Sequence, residues 1–249
     1  FLKKELTTIT NEAFNKPKFY LKQINELKNR NIDIINSNLD HLEKARLLLE
    51  DCKRLGTLPF AHLARCGFIA ISLLNDSYLS GYISCAAKDS FLNSIRTISH
   101  KLTIDGVNTF KGEMKWEDFS KKYGHLRPGT YDINSPRYDS NDEFFLKNSI
   151  NEEFKLNDHD YLDVWEKEKE SFFNSLKLIN LPYQEKIVEQ FLYNSIEGRE
   201  YAKFIFTKNL SDALEELVLA FENYELTRED LSNLDIYNIL KLRDYEIND

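Results

Sequence analysis

Ile35-Asn36-Ser37-Asn38-Leu39-Asp40-His41-Leu42-Glu43-Lys44-Ala45-Arg46-Leu47-Leu48-Leu49-Glu50-Asp51-Cys52 is the stretch on which the fold class turns. Its apolar residues Ile35, Leu39, Leu42, Ala45, Leu49 and Cys52 recur in steps of three and four, which places them on one stripe of a helix. A half-buried strand would alternate with a period of two instead. The spacing therefore predicts a helix from Ile35. Gly56 follows, and Leu58-Pro59 is expected to open the next helix, because proline is tolerated in a first turn. The predicted apolar face of that helix is Phe60, Leu63, Ala64, Gly67, Phe68, Ile71, Leu74 and Tyr78.

Outward from this pair the same period continues. It predicts a helix from Phe91 through Ile95 and Ile98 to Leu102, and a short one from Trp116 to Tyr123 that Gly124 ends in the left-handed conformation. Further helices are expected from about Asp160 to Ile179, Tyr183 to Thr207, Ser211 to Tyr224 and Leu231 to Asp244. The last is opened by Thr227-Arg228-Glu229-Asp230, close to a capping box. With only 8 Gly and 5 Pro in 249 residues, the chain lacks the turn residues that many short strands need. No repeat of fixed period appears. The reading is an all-α fold, one multi-helix domain over residues 1–249, interrupted by a single long Gly/Pro-containing loop at about 124–143.

The net charge of −8 argues against nonspecific binding to nucleic acid or to an anionic membrane, since both depend on Lys/Arg contacts to phosphate. Cys52, Cys66 and Cys85 are odd in number, lie apart and form no Cys-x-x-Cys pair, so they read as reduced and structural. No charged-then-apolar leader is seen, and no apolar run is expected to reach the roughly 20 residues that span a bilayer. The chain reads as soluble and cytoplasmic. Beginning at Phe1 inside an amphipathic segment, it also reads as a piece of a longer polypeptide.

Three segments hold the polar residues that invite chemistry. The first is Tyr123-Gly124-His125-Leu126-Arg127-Pro128-Gly129-Thr130-Tyr131-Asp132-Ile133-Asn134-Ser135-Pro136-Arg137-Tyr138, where prolines and glycines restrict the backbone around charged and aromatic side chains. Ordered loops of this length are often functional, and restricted backbone lowers the ordering cost of binding. Arg127 and Arg137 suit a phosphate or carboxylate gripped by two parallel hydrogen bonds, and Asp132 suits an ammonium, or orients His125. The other reading pairs Asp132 with an arginine, makes His125 a helix cap, and leaves the loop covering a core edge. The second segment is Thr57-Leu58-Pro59-Phe60-Ala61-His62-Leu63-Ala64-Arg65, in which His62 and Arg65 share a helical face. The third, Arg199-Glu200-Tyr201-Ala202-Lys203-Phe204, sets Arg199 and Lys203 on one face. Surface pairing is the alternative for both helical segments, as it is for Arg96.

No Gly-x-x-x-x-Gly-Lys-Ser/Thr loop, Gly-x-Gly-x-x-Gly, Gly-x-Ser-x-Gly or His-Glu-x-x-His is present. His41, His62, His100, His125 and His159 show no metal-ligand spacing, and no metal is expected in this chain.

Taken together, the Gly56–Arg65 segment, the Tyr123–Tyr138 loop and the Arg199–Phe204 segment resemble the helical middle region of phosphoenolpyruvate-synthase-like phosphotransferases. That group includes rifampin phosphotransferase and the bacterial glutamine kinase, the latter looking closest. The resemblance implies a three-part enzyme. An ATP-grasp domain, using ATP and Mg, phosphorylates a histidine on a swivelling domain with release of AMP and phosphate, and the phosphohistidine then visits an acceptor held by the helical domain. This chain is similar to the acceptor-binding domain; it has neither the ATP-binding part nor a Gly-rich Ser-His segment, and alone is expected to be inactive. L-Glutamine, phosphorylated on its amide nitrogen for cell-surface phosphoramidate (capsule) synthesis, is the implied acceptor, with pyruvate or another small molecule as the alternative. The substrate-binding residues carried over are Arg127, Asp132, Arg137, Tyr131, His62, Arg65, Arg199 and Lys203, with His125 as proton acceptor. From another class, a helical protein-interaction module predicts Arg127, Asp132 and Arg137 buried and mutually paired. The acceptor reading predicts them converging on an accessible cleft near His62 or Arg199.

Overall fold

The computed structural model describes residues 2–140 and 163–246, with side chains placed for residue 5 and for residues 7–140 and 163–241. Among them every regular element is helical: α1 (Leu2–Ala13), α2 (Pro17–Ile35), α3 (His41–Asp51), α4 (Leu58–Leu79), α5 (Cys85–Ser94), α6 (Ile98–Phe110), α7 (Trp116–Tyr123), α8 (Asp163–Leu178), α9 (Glu185–Ala220), α10 (Arg228–Ser232) and α11 (Ile236–Glu246). The all-α expectation holds. Residues 141–143 of the predicted loop and 160–162 of the helix predicted from about Asp160 to Ile179 lie outside the described residues.

Several boundaries differ from the period-based expectation, each for a local reason. The stripe from Ile35 to Cys52 is broken, because α2 ends at Ile35 and α3 starts at His41 behind an Asp40 N-cap whose side chain accepts from the Glu43 amide. Capping there outweighs stripe continuity, and Leu39 is left exposed. Gly56 ends nothing. Residues Cys52–Thr57 form a π-helical turn that joins α3 to α4. A proline ring at 59 would crowd the carbonyl four residues back in a tight helix, and the wider turn relieves that crowding. Thr57 Oγ1 donates to the Cys52 carbonyl across it, at 3.0 Å. The helix predicted from Phe91 to Leu102 is two helices, α5 and α6, parted at residues 95–97. The helices predicted on either side of Ser211 are one continuous helix, α9, of 36 residues.

The α4 face is also rotated from the predicted one. Leu63, Gly67 and Leu74 are buried as expected, together with Cys66, Ala70, Leu73 and Ser77, whereas Phe68 is 62% exposed. Within the helical run His41–Leu79 one 18-residue window is long and apolar enough to cross a membrane by length and composition, a property that the core helices of globular proteins share. Its most apolar positions go to the core, where Leu63, Ala70 and Leu74 are fully buried.

The chain forms two compact units, each assembled from three separated stretches. One takes Phe1–Ile24, Leu58–Ile104 and Glu153–Phe204, and the other takes Asn25–Thr57, Asp105–Glu152 and Ile205–Asp249. The first unit's core centres on Trp165, packed at 4.5 Å from Phe91 and 5.4 Å from Phe172, with Leu74, Phe191 and Leu192 around them. Trp165 is buried with its indole N–H donating to Glu189, which satisfies the polar edge of an otherwise apolar ring. The second unit gathers Ala45, Leu217, Phe221, Leu231 and Ile239, and the loop's Ile133 enters that core.

Candidate functional site

The candidate loop belongs wholly to the second unit and is built around one side chain. Arg127 follows α7 and turns inward until its side chain is 1% exposed. Its guanidinium donates to the loop's own Asp132 and Ser135 carbonyls at 3.2 and 3.3 Å. It also donates to Ser211 Oγ at 3.0 Å and to Glu215 Oε1 at 2.7 Å, both on α9. A buried guanidinium with its donors placed this way satisfies the polar groups that the turn would otherwise strand. Burial pulls the Arg127 pKa down, against the pull of Glu215. Arg127 therefore fixes the loop to α9, a correction to its expected role on substrate.

The loop's ends are tied as well. The Tyr138 amide donates to the Leu126 carbonyl at 2.8 Å and the Asp139 amide to the Gly124 carbonyl at 3.2 Å. Gly124 does close α7, but in the right-handed conformation at φ −55° rather than the expected left-handed one. Glycine is needed there for space: a Cβ would collide with the Ser120 carbonyl and sit 2.8 Å from the Asp139 side chain. Beneath it the Tyr123 hydroxyl donates to Asp105 at 2.7 Å, and burial leads in raising its pKa to about 12, so it remains a protonated donor.

Arg137 has a different environment. Its Nε and one terminal nitrogen donate to Asp139, the latter at 2.7 Å, and its other terminal nitrogen reaches Asp212 on α9 at 3.0 Å. Asp212 also accepts from Lys208 and from Asn31. Burial would raise the Asp212 carboxyl, but Lys208 and Arg137 outweigh it and hold it below its ordinary range. Glu215 behaves alike, with burial overcome by Arg228 and Arg127. Arg137, Arg228, Glu215, Asp139 and Asn134 line an open cleft of about 380 Å³.

The three polar residues singled out in the loop do not converge. Arg127 is buried as scaffold, Arg137 faces the cleft, and Asp132 lines a separate concavity together with Tyr131. Asp132 Oδ1 accepts from the Asn134 amide at 2.9 Å, and Tyr131 is 69% exposed. His125 is 3% exposed and lines neither concavity, which removes the geometric basis for its proposed proton transfer there.

The remaining expected residues fall in the first unit. His62 stacks on Tyr20 with ring centroids 4.4 Å apart, and its Nδ1 lies 3.5 Å from Arg65. Partial burial, then Arg65 and Lys16, lowers the His62 pKa and keeps the ring neutral at pH 7. Arg199 lies 5.2 Å over the exposed Phe68 ring, beside Glu200, and Lys203 is exposed. Arg96 and His100 make an equivalent contact at 2.6 Å, and burial followed by Arg96 lowers the His100 pKa.

No family model, curated protein or solved structure matches this chain. The groups bonded to the loop that the sequence reading did not single out are Ser211, Asp212 and Glu215 on α9 and Arg228 on α10. Three of them are polar positions on a helix whose neighbours Ala213 and Leu217 are core. That clash with the apolar stripe is their signal, and it becomes readable only once the facing loop is known.

Proposed function

We propose that the chain is the acceptor-binding part of a phosphoenolpyruvate-synthase-like phosphotransferase, and that the Arg137–Arg228 cleft holds a small zwitterionic acceptor, L-glutamine. The cleft carries this reading. It brings two guanidinium groups, two carboxylates and a side-chain amide to one open hollow, the set that a carboxylate, an ammonium and a terminal amide require. Its size falls within the range of small-molecule sites. Arg228 is the more available of the two arginines, with 39% of its side chain exposed. Phosphoryl transfer relies on placement and charge neutralisation more than on covalent help, so a domain of this kind contributes orientation. ATP with Mg, and the phosphohistidine, belong to other domains of the enzyme, which acts in the cytoplasm. Here His125 gives way to the cleft's own carboxylates as the groups near a departing proton.

Calorimetric titration with L-glutamine tests the proposal, with pyruvate as control. Saturable glutamine binding that Arg228→Ala weakens at least tenfold, and that Asn134→Ala makes blind to glutamine against glutamate, is the expected result. Glutamine binding of equal strength in both variants would overturn the assignment of this cleft.

A further inference from the structure

Along residues 131–133 the loop borders a second concavity, also of about 380 Å³, whose chemistry is different. Its wall is aliphatic, made by Leu49 of α3, Leu210, Leu214 and Leu217 of α9, and Leu231 and Ile239 of the C-terminal helices. Asp132 is the one charged residue in that lining, and Tyr131 and Ser232 are the other polar-tipped ones. Ser232 Oγ donates back to the Glu229 carbonyl at 2.7 Å and so turns toward its own helix. Asp132 uses Oδ1 for the Asn134 amide, and no bond to its Oδ2 occurs among the described residues.

We propose that this groove binds a small amphipathic organic cation, an aliphatic body carrying a primary ammonium. The hydrocarbon lies on the leucine wall, and the ammonium meets Asp132 beside the exposed Tyr131 ring. An open aliphatic hollow of this size marks a ligand or partner site. The single carboxylate decides the ligand's charge. A neutral hydrocarbon covering Asp132 would strip water from a carboxylate without replacing its hydrogen bonds. A fatty carboxylate would set like charges together in a chain that already carries a net −8. An ammonium removes both penalties by a charge-assisted hydrogen bond to Asp132, in a lining that also includes Tyr131. The site is separate from the arginine cleft and stands whether or not that cleft holds an amino acid.

The test is calorimetric titration of the whole chain with butyl-, hexyl- and octylammonium and with hexanoate. Affinity should rise about fourfold per added methylene, as hydrocarbon burial requires, and hexanoate should bind at least tenfold more weakly than hexylammonium. Asp132→Asn, which keeps an oxygen for the Asn134 amide, should erase that preference. Leu234→Lys, at a groove position 47% exposed and therefore tolerant, should reverse it. Equal binding of hexylammonium and hexanoate, no saturable binding of any alkylammonium, or a preference that survives Asp132→Asn would each overturn the proposal.

Discussion

Arg127 and Arg137 stand ten positions apart in one loop and have the same side chain, yet they do opposite work. Arg127 lies behind the loop backbone, where acceptors from the loop and from α9 surround it on all sides. Arg137 keeps one face toward an open hollow. Arginine suits the inner position because its planar fork serves several acceptors at once, which a single ammonium cannot do. Arg127→Ala should therefore destabilise the fold by about 3 kcal/mol, the scale of breaking a buried charged network. Arg127→Lys should recover only part of it. Denaturant unfolding reads this directly, and a midpoint unchanged in the alanine variant would remove the scaffold role.

Among the elements, the end of α7 and the α3–α4 junction show the same lesson: a glycine marks a place where space is short. At Gly56 a Cβ would come within 2.5 Å of the Phe206 ring, and at Gly124 it would strike backbone. Neither glycine has the positive φ that Gly81 and Gly112 adopt. Gly124→Ala should cost about 2 kcal/mol by overpacking. Gly124→Asn should cost at least as much, whereas a left-handed helix end would accept asparagine well. Thermal melting of the two variants separates these cases, and an asparagine variant as stable as the parent would restore the left-handed reading.

On the scale of the whole molecule, the carboxylates that tie the loop to α9 set an acid limit on stability. The Asp212 carboxyl is held below its ordinary 3.8 in the fold, and that of Glu215 below 4.5. As pH falls, the unfolded chain takes up these protons before the folded one does. The stability they contribute is therefore present above the ordinary values and lost as pH drops through the folded ones. Unfolding free energy measured from pH 7 to pH 3 should fall steeply below about pH 4.5, and Asp212→Asn should lower the plateau and flatten that fall. A parallel pH profile in the variant would show that Asp212 has no part in it.

Much of this was legible in the chain itself. Helical character is a property of local spacing, and the stripes around Leu42–Leu49, Leu63–Leu74 and Trp116–Tyr123 carried it without help from the rest of the molecule. The capping box at Thr227 likewise closes within four residues and its reciprocal bonds form, but it opens the short α10, and the helix predicted from Leu231 to Asp244 begins only at Ile236 as α11. Even the break between α2 and α3 had its signal in Asp40 and Glu43. The loop at 124–140 announced itself by its turn residues. Tertiary structure alone decided what its charges do. Whether an arginine becomes scaffold or lines a cleft depends on which residues face it, and those partners, Ser211, Asp212 and Glu215, lie 75 to 88 positions away. Electrostatic energy falls with distance in space and takes no account of separation along the chain. The sequence therefore specified the helical character and the place of the loop, and only folding joined or parted individual helices and assigned Arg127 to the interior, Arg137 to the cleft and Asp132 to the apolar groove.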